Sequence, residues 1–467
     1  MRQLSALHVG FFLLACGSMS LVGCDDKKPP VPAPAAAASA APTPQAAEPA
    51  APASPTRPAQ KLNVLLITID SLRADMPWVG YDKAIAPNLT QLAAESVVYD
   101  DYRSVSSYTA QTVATLLSGR YASTLYRTGT FFTNYADGNE WISEGMQKAG
   151  VRTMAVHAHL YFDRAPGLKQ GFDVWQMVPG LTWNAQTDES VTSDKSVATM
   201  IELLGKTENT SGQFFMWSHF MDPHDQYVKH NEGPDFGKDN RGRYDSEVWF
   251  ADSELGKLFA FGRTQPWWKD TVVIVSADHG EAFGEHGMYK HAFELWDVVT
   301  RIPLIVKAPG AVPQHITEKR SHIDLAPTVV DLLGLPALAG FQGVSMLPEI
   351  YGLEPAGNRE PILLELAEDT NNGARRAVVV GDYKLIIWDG GAKKSLFDLK
   401  KDPGEEKDIA KDQPAKLAEL ETVMKAKFGN LPIVAPFGGN KLKSGKLANG
   451  PKGPAPSTAA EDPVEKN

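Results

Sequence analysis

The chain is predicted to fold as an α/β protein built on a central, mostly parallel sheet flanked by helices, followed by a smaller antiparallel sheet with one helix on it. Three observations predict this. Apolar runs at 62–70, 213–219 and 271–275 lack the alternation of a half-exposed strand and read as buried parallel strands. Each run gives way abruptly to polar residues, Asp70-Ser71, Ser218-His219, and Ser276 with Asp278 and His279. Beyond residue 344 the strands shorten, and Gly381-Asp382 and Gly390-Gly391 supply hairpin signals. In open α/β sheets ligands gather outside the carboxyl ends of the strands, so the polar ends are where chemistry is expected.

The elements follow in order. Residues 86–95 read as a helix entered through Pro87 and Asn88, and 97–102 as a short strand. The hydroxyl-rich stretch after Ser104 becomes a helix near Thr109, with Val113, Leu116 and Leu117 inward and Gly119 as its stop. A helix at 141–147, a strand at 152–156 ending in His157 and His159, and a turn at Gly171-Phe172-Asp173 come next. Helices at 191–204 and 244–261 bracket the strand 213–219. Residues 302–306 are expected to form a strand near a sheet edge because of Pro303, and 321–334 a helix. The C-terminal sheet takes strands at 361–366, 374–380, 383–388 and 395–399, and its helix spans 414–427.

Organisation along the 467 residues is marked by composition. Arg2 and the apolar run to Val22, then Leu21-Val22-Gly23-Cys24, resemble a bacterial lipoprotein signal peptide over 1–24, with Cys24 the lipidated residue; an uncleaved anchoring helix is the alternative. Residues 25–60 form a Pro/Ala-rich linker, 61–344 a catalytic domain, 345–430 a C-terminal subdomain and 431–467 a low-complexity tail, disordered from Gly438 on. The protein is thus expected in the bacterial cell envelope, facing periplasm or exterior and touching the membrane through its lipid only. Both cysteines fall in the signal segment, which leaves the domain no disulfide and no thiol nucleophile. A net charge of −10 argues against a nucleic-acid surface.

Four predicted strands deliver His or Asp to one edge of the sheet. Asp278 and His279 leave a turn together, and a carboxylate with an imidazole suits a divalent cation. Asp70 supplies a further carboxylate, although an acid there can also cap a helix. Thr109, at a helix start, sits where unpaired N–H groups favour an oxyanion; hydroxyls at such positions are most often caps.

These residues carry a resemblance. The order of Asp70-Ser71-Leu72-Arg73-Ala74-Asp75, Pro87-Asn88-Leu89, Leu116 to Tyr121, Gly171-Phe172-Asp173, Asp222-Pro223-His224, Asp278-His279-Gly280-Glu281, Glu285-His286-Gly287, His291, Ile302-Pro303-Leu304, His322 to Thr328 and Leu396-Phe397-Asp398-Leu399 is similar to that of the sulfatase family, in the alkaline phosphatase superfamily, over about residues 62–410. The resemblance implies an alkaline-phosphatase-like sandwich and a hydrolase of sulfate, phosphate or phosphonate esters. In that family a cysteine ten residues before the helix-ending glycine becomes formylglycine, the nucleophile; here that position is Thr109, and the motif's arginine is missing as well. An unmodified threonine is then implied as nucleophile, which favours phosphate or phosphonate over sulfate esters. Asp70, Asp278, His279 and Thr109 would hold one divalent ion, calcium, manganese or zinc, with Ser71 in place of a second aspartate. His224 and His291 match substrate-binding positions, either of them able to protonate the leaving group, and His157, His219 and His286 are assigned to substrate contact. A second metal at His219, His224 and Asp222 stays open, while His230 and His315 read as surface residues. The substrate would be an anionic ester, of a polysaccharide, a phospholipid headgroup or an envelope polymer. Transfer of the group to an envelope acceptor, or glycan binding without catalysis, are the competing readings.

Overall fold

A computed structural model describes residues 58–181 and 191–454. The signal segment with Cys24, most of the linker and the end of the tail lie outside the described residues. The main sheet has eight strands: β1 (Asn63–Ile69), β2 (Val97–Tyr99), β3 (Arg152–His157), β4 (Val174–Met177), β5 (Phe214–Phe220), β6 (Thr271–Ala277), β7 (Leu304–Lys307) and β8 (Gln314–Ile316). Their order is β8-β2-β7-β6-β1-β5-β3-β4. All run parallel except β7, which is antiparallel to both β2 and β6.

The continuous apolar character of the central strands has its cause in burial: every residue of β1, β5 and β6 is buried. Helices α1 (Pro87–Ala94), α2 (Thr109–Ser118), α3 (Ile142–Lys148), α4 (Ser193–Leu204), α5 (Asn240–Arg263) and α6 (Leu325–Leu332) pack on the sheet. At roughly 1.5–3 kcal/mol for each large apolar side chain taken from water, such a core more than outweighs the weak helix preference of a ten-residue segment such as α2. Helix α2 stops at Gly119, whose φ of 64° is left-handed and whose missing Cβ leaves room for the Phe341 ring.

The strand expected near an edge is internal. β7 lies between β2 and β6, and Pro303, which has no N–H to give, falls one residue before it while its carbonyl accepts from Ser276 Oγ at 2.8 Å. The strand expected over 97–102 is broken after Tyr99, and a separate two-residue strand at Tyr102–Arg103 pairs elsewhere.

The second sheet is antiparallel, with β9 (Ile362–Leu366), β10 (Arg375–Val380), β11 (Tyr383–Trp388) and β12 (Lys393–Asp398) in sequential order. Gly381, at φ 55°, makes the tight turn between Val380 and Tyr383. Helix α7 (Pro414–Gly429) covers this sheet through Leu420, Met424 and Phe428. Residues 431–454, expected to be disordered from Gly438 on, instead run back along the folded chain: Val434 N donates to Ser123 O at 2.9 Å, Phe437 N to Arg127 O at 2.9 Å and Lys443 N to Asp369 O at 2.9 Å. Leu442 and Ala448 are buried there. No helix among the described residues is long and apolar enough to cross a membrane.

Candidate active site

At the carboxyl edge of the sheet, β1 ends at Asp70 and its neighbour β6 at Asp278-His279, so side chains more than two hundred residues apart meet because their strands are paired in register from Asn63↔Thr271 to Ile69↔Ala277. Asp278 Oδ1 accepts from the backbone N–H of His279 (2.8 Å) and of Ser71 (3.2 Å). Asp278 Oδ2 is buried without a hydrogen-bond partner and lies 3.3 Å from His279 Nε2. His279 Nδ1 donates to Gly280 O at 3.0 Å, which leaves Nε2 as a lone pair. Thr109 Oγ1, on the first residue of α2, stands 3.1 Å from that nitrogen, and Asp70 Oδ1 3.7 Å from it. The four residues assigned to the metal are therefore gathered around one point.

Asp70 is set from behind. Its Oδ2 accepts from His219 Nε2 at 3.2 Å; His219 Nδ1 then accepts from the Thr68 hydroxyl at 2.9 Å, and Thr68 Oγ1 takes the indole N–H of Trp217 at 3.0 Å. All four side chains are fully buried. Burial works to raise the Asp70 carboxyl, yet His224, His219 and His279 hold it well below the usual carboxylate range. Ser71 follows at φ 59°, a left-handed conformation uncommon outside glycine, and gives its hydroxyl to Asp70 Oδ1 at 3.0 Å.

His291 stacks on His279 at 4.2 Å between ring centres, and its Nδ1 is 3.2 Å from Glu281 Oε1. Burial opposes its charge, but Glu281 pushes the imidazole up to about 9. His279 moves the other way: burial lowers it, and it is the neutral ring of the pair. His224 lies 5.0 Å from His291 and 6.1 Å from His159 between ring centres, and both His224 and His291 are only half-buried. Beyond them Tyr108, Phe131 and Phe293 form a stack, with centroids 4.5 and 6.3 Å apart, and Phe132 and Phe293 are 54% and 45% exposed.

Three assignments to substrate contact need correction. His219 has both ring nitrogens engaged behind Asp70 and is fully buried. His157 is fully buried between Phe162 and Trp175. His286 stacks on Trp296 at 4.1 Å and lines a separate 360 Å³ cavity with Glu405 and Glu406. The alternative second cluster of His219, His224 and Asp222 is not formed: His219 is committed to Asp70, and Asp222 meets His230 and Glu247 instead. His230, read as a surface residue, is buried.

Two features escaped the sequence reading. Glu281, the partner of His291, is signalled only by its place two residues after His279, while the aromatic stack depends on a loop path that no periodicity reveals.

The donor set fits a divalent cation. A buried carboxylate oxygen with no donor is costly to leave bare, and Asp278 Oδ2 faces an imidazole lone pair and a second carboxylate. Among the described residues, Asp70, His279 and His291, and Asp70, His219 and Asp278, offer ligand atoms within 4.8 Å of one another.

The chain is similar to known proteins over part of its length. Over 171 residues the chain is 31% identical to the Δ4,5-hexuronate-2-O-sulfatase of Bacteroides thetaiotaomicron, covering 35% of this chain and 34% of that protein. Over 202 residues it is 27% identical to the choline-sulfatase of Rhizobium meliloti, covering 41% and 38%. The alignments thus span little more than a third of these relatives. The phosphonate monoester hydrolase of Agrobacterium radiobacter superposes with a TM-score of 0.65 over 79% of this chain and 96% of that one; at 18% identity this establishes the fold, the α/β sandwich with its smaller antiparallel sheet. A model described as N-sulphoglucosamine sulphohydrolase, C-terminal, matches residues 284–432. The sulfatase model matches residues 62–335, more than half of the chain, and the protein belongs to the sulfatase family.

Proposed function

We propose that the protein is a metal-dependent hydrolase of sulfate, phosphate or phosphonate esters in which Thr109 is the nucleophile. The observation that carries this reading is the 3.1 Å approach of Thr109 Oγ1 to His279 Nε2, a nitrogen left free by the bond from Nδ1 to Gly280 O. A divalent ion held by Asp70, Asp278, His279 and Thr109 would supply the charge that makes a threonine hydroxyl acidic enough to react near neutral pH. The choice among calcium, manganese and zinc is part of the same proposal; the neutral Ser71 and the imidazole ligand favour manganese or zinc over calcium.

The remaining steps fall to the chain's own groups. Thr109 releases its hydroxyl proton to solvent; attack of Oγ on sulfur or phosphorus then forms an O–S or O–P bond and breaks the bond to the ester's alkoxide, which takes a proton from His291 or His224. His291, its charged form favoured by Glu281, would face charge that grows on the transferred group, and the N-terminus of α2 adds its dipole. Hydrolysis of the resulting threonine ester by water completes the cycle. A formylglycine adduct expels sulfate by collapse of its hydrate; a threonine ester has no such route, which favours phosphate and phosphonate substrates. Relatives named for hexuronate and choline sulfates, and a structural neighbour named for phosphonate monoesters, share a tetrahedral anionic head on a small alcohol, and we assign that class to this site. Anchoring at the cell envelope through Cys24 belongs to the same proposal; palmitate labelling of the expressed protein, abolished in Cys24→Ala, is the expected result.

The test is turnover of p-nitrophenyl phosphate, p-nitrophenyl sulfate and a phenylphosphonate monoester. Thr109→Ala is expected to lower kcat by at least about 1,000-fold and Thr109→Ser to retain part of it. Full activity of Thr109→Ala would remove the nucleophile assignment. Product appearing only when an acceptor alcohol is added would replace hydrolysis by group transfer, and an inert wild-type protein that binds sulfated glycan would favour the binding reading.

A further inference from the structure

A second group of metal-ligating side chains lies apart from Asp278 and His279. Leaving β5, the chain turns at Asp222, immediately before Pro223 and His224. Asp222 Oδ2 is fully used at the start of α4, by Thr192 N (2.9 Å), Thr192 Oγ1 (3.2 Å) and Ser193 Oγ (2.8 Å). Its other oxygen, Oδ1, is buried and has no hydrogen-bond partner in a residue that is 0% exposed. His230 presents the same condition: Nε2 is buried and unpartnered, while Nδ1 lies 3.4 Å from Glu232 Oε1 and the ring rests flat on Phe250, 4.1 Å between centres with 5° between planes. Glu247, from the first half of α5 and also 0% exposed, receives the N–H of Val228 on Oε1 at 3.0 Å.

Asp222, His230 and Glu247 each place one ligand atom within 4.8 Å of the others. Asp222 Oδ1 and His230 Nε2 are each buried without a hydrogen-bond partner, so a direct Asp–His hydrogen bond does not satisfy either. Leaving a buried carboxylate oxygen and a buried ring nitrogen unsatisfied would cost several kcal/mol in all, and an atom that accepts electron pairs from both removes that cost. His230 is also held in one orientation, by the Phe250 ring beneath it and Glu232 at its far nitrogen, as metal-binding imidazoles commonly are.

We propose that Asp222, His230 and Glu247 form a second divalent-cation site. Two carboxylates neutralise the ion's charge, and the imidazole selects a borderline first-row ion, zinc or manganese, over calcium. The ion joins the turn that carries His224 to α5, so it acts as a positioning element for that histidine and takes no part in bond making.

Zinc is the probe. Wild-type protein loaded with Zn2+ and passed through a desalting column is expected to retain two equivalents, with anomalous peaks at the zinc edge beside His279 and beside His230. Asp278→Asn is expected to keep only the second equivalent, and His230→Gln or Glu247→Gln only the first. In thermal unfolding, Zn2+ raises the Tm of Asp278→Asn but not of the Asp278→Asn/Glu247→Gln double variant. The wild-type anomalous map stands without any variant, so a variant that fails to fold leaves the test intact. Absence of the peak beside His230, or two retained equivalents in both His230→Gln and Glu247→Gln, overturns the proposal. None of these measurements depends on Thr109 or on turnover, so loss of the nucleophile assignment would leave this inference standing.

Discussion

Glu281 is the charged partner of His291, a histidine that the sequence resemblance implied for the site without naming what holds it. Its carboxylate lies 3.2 Å from His291 Nδ1 in a fully buried position, and replacing it by glutamine exchanges a charge-assisted bond for a neutral one. That difference is about 1–1.5 kcal/mol, so Glu281→Gln is expected to lower kcat by roughly 5- to 10-fold with metal content unchanged, measured by steady-state kinetics beside elemental analysis. Phe293, 45% exposed at the edge of the aromatic stack, makes a different prediction: Phe293→Ala should raise KM for aryl esters several-fold and leave kcat nearly untouched. Thr109, Asp70, Asp278 and His279 were legible because each follows a buried strand or opens a helix, where polarity changes sharply. Phe131, Phe132 and Phe293 were not, since their contact is made by loops whose course depends on packing far along the chain.

Among the elements, the turn after β6 is the most constrained. Gly280 N donates to Val299 O at 3.0 Å, and a Cβ on Gly280 would run into the Val298 carbonyl oxygen, which backbone cannot yield cheaply. Gly280→Ala is therefore expected to destabilise the fold by about 2 kcal/mol or more, seen in urea unfolding, and to weaken metal retention because Asp278 and His279 move with the turn. At the end of β3, His157 finds no partner for either ring nitrogen, and burial followed by the neighbouring His219 ring pushes it down to about 3. In the unfolded chain it titrates at about 6.5, so the unfolded state binds the extra proton first: His157's contribution is whole above pH 6.5 and drains away as pH falls toward 3. His157→Leu should accordingly lose less stability than the wild type between pH 7 and 4 in parallel denaturant titrations. Strand and helix positions were readable from period and from Gly and Pro. The place of β7 was not, because Pro303 argues for an edge only if it lies inside the strand, and it lies one residue outside.

At the scale of the molecule, the two sheets and the returning segment 431–454 hold one another. Composition marked that segment as too polar and glycine-rich to fold alone, which is sound locally; its order comes from backbone bonds to Ser123, Arg127 and Asp369 that lie far away in sequence. Ending the chain after Asn430 should lower Tm by several degrees in calorimetry, since Leu442 and Ala448 would leave their buried places. The amide side chain of Gln111, two residues past Thr109, reaches the second sheet: its Oε1 accepts from Ala367 N at 2.9 Å and its Nε2 donates to Ala367 O at 3.1 Å. A gene fragment stopping at residue 344 would encode every side chain of the candidate site, yet the helix bearing Thr109 would have lost its outer clasp. Split-protein complementation, with the missing half supplied in trans, would then restore turnover that neither piece shows by itself.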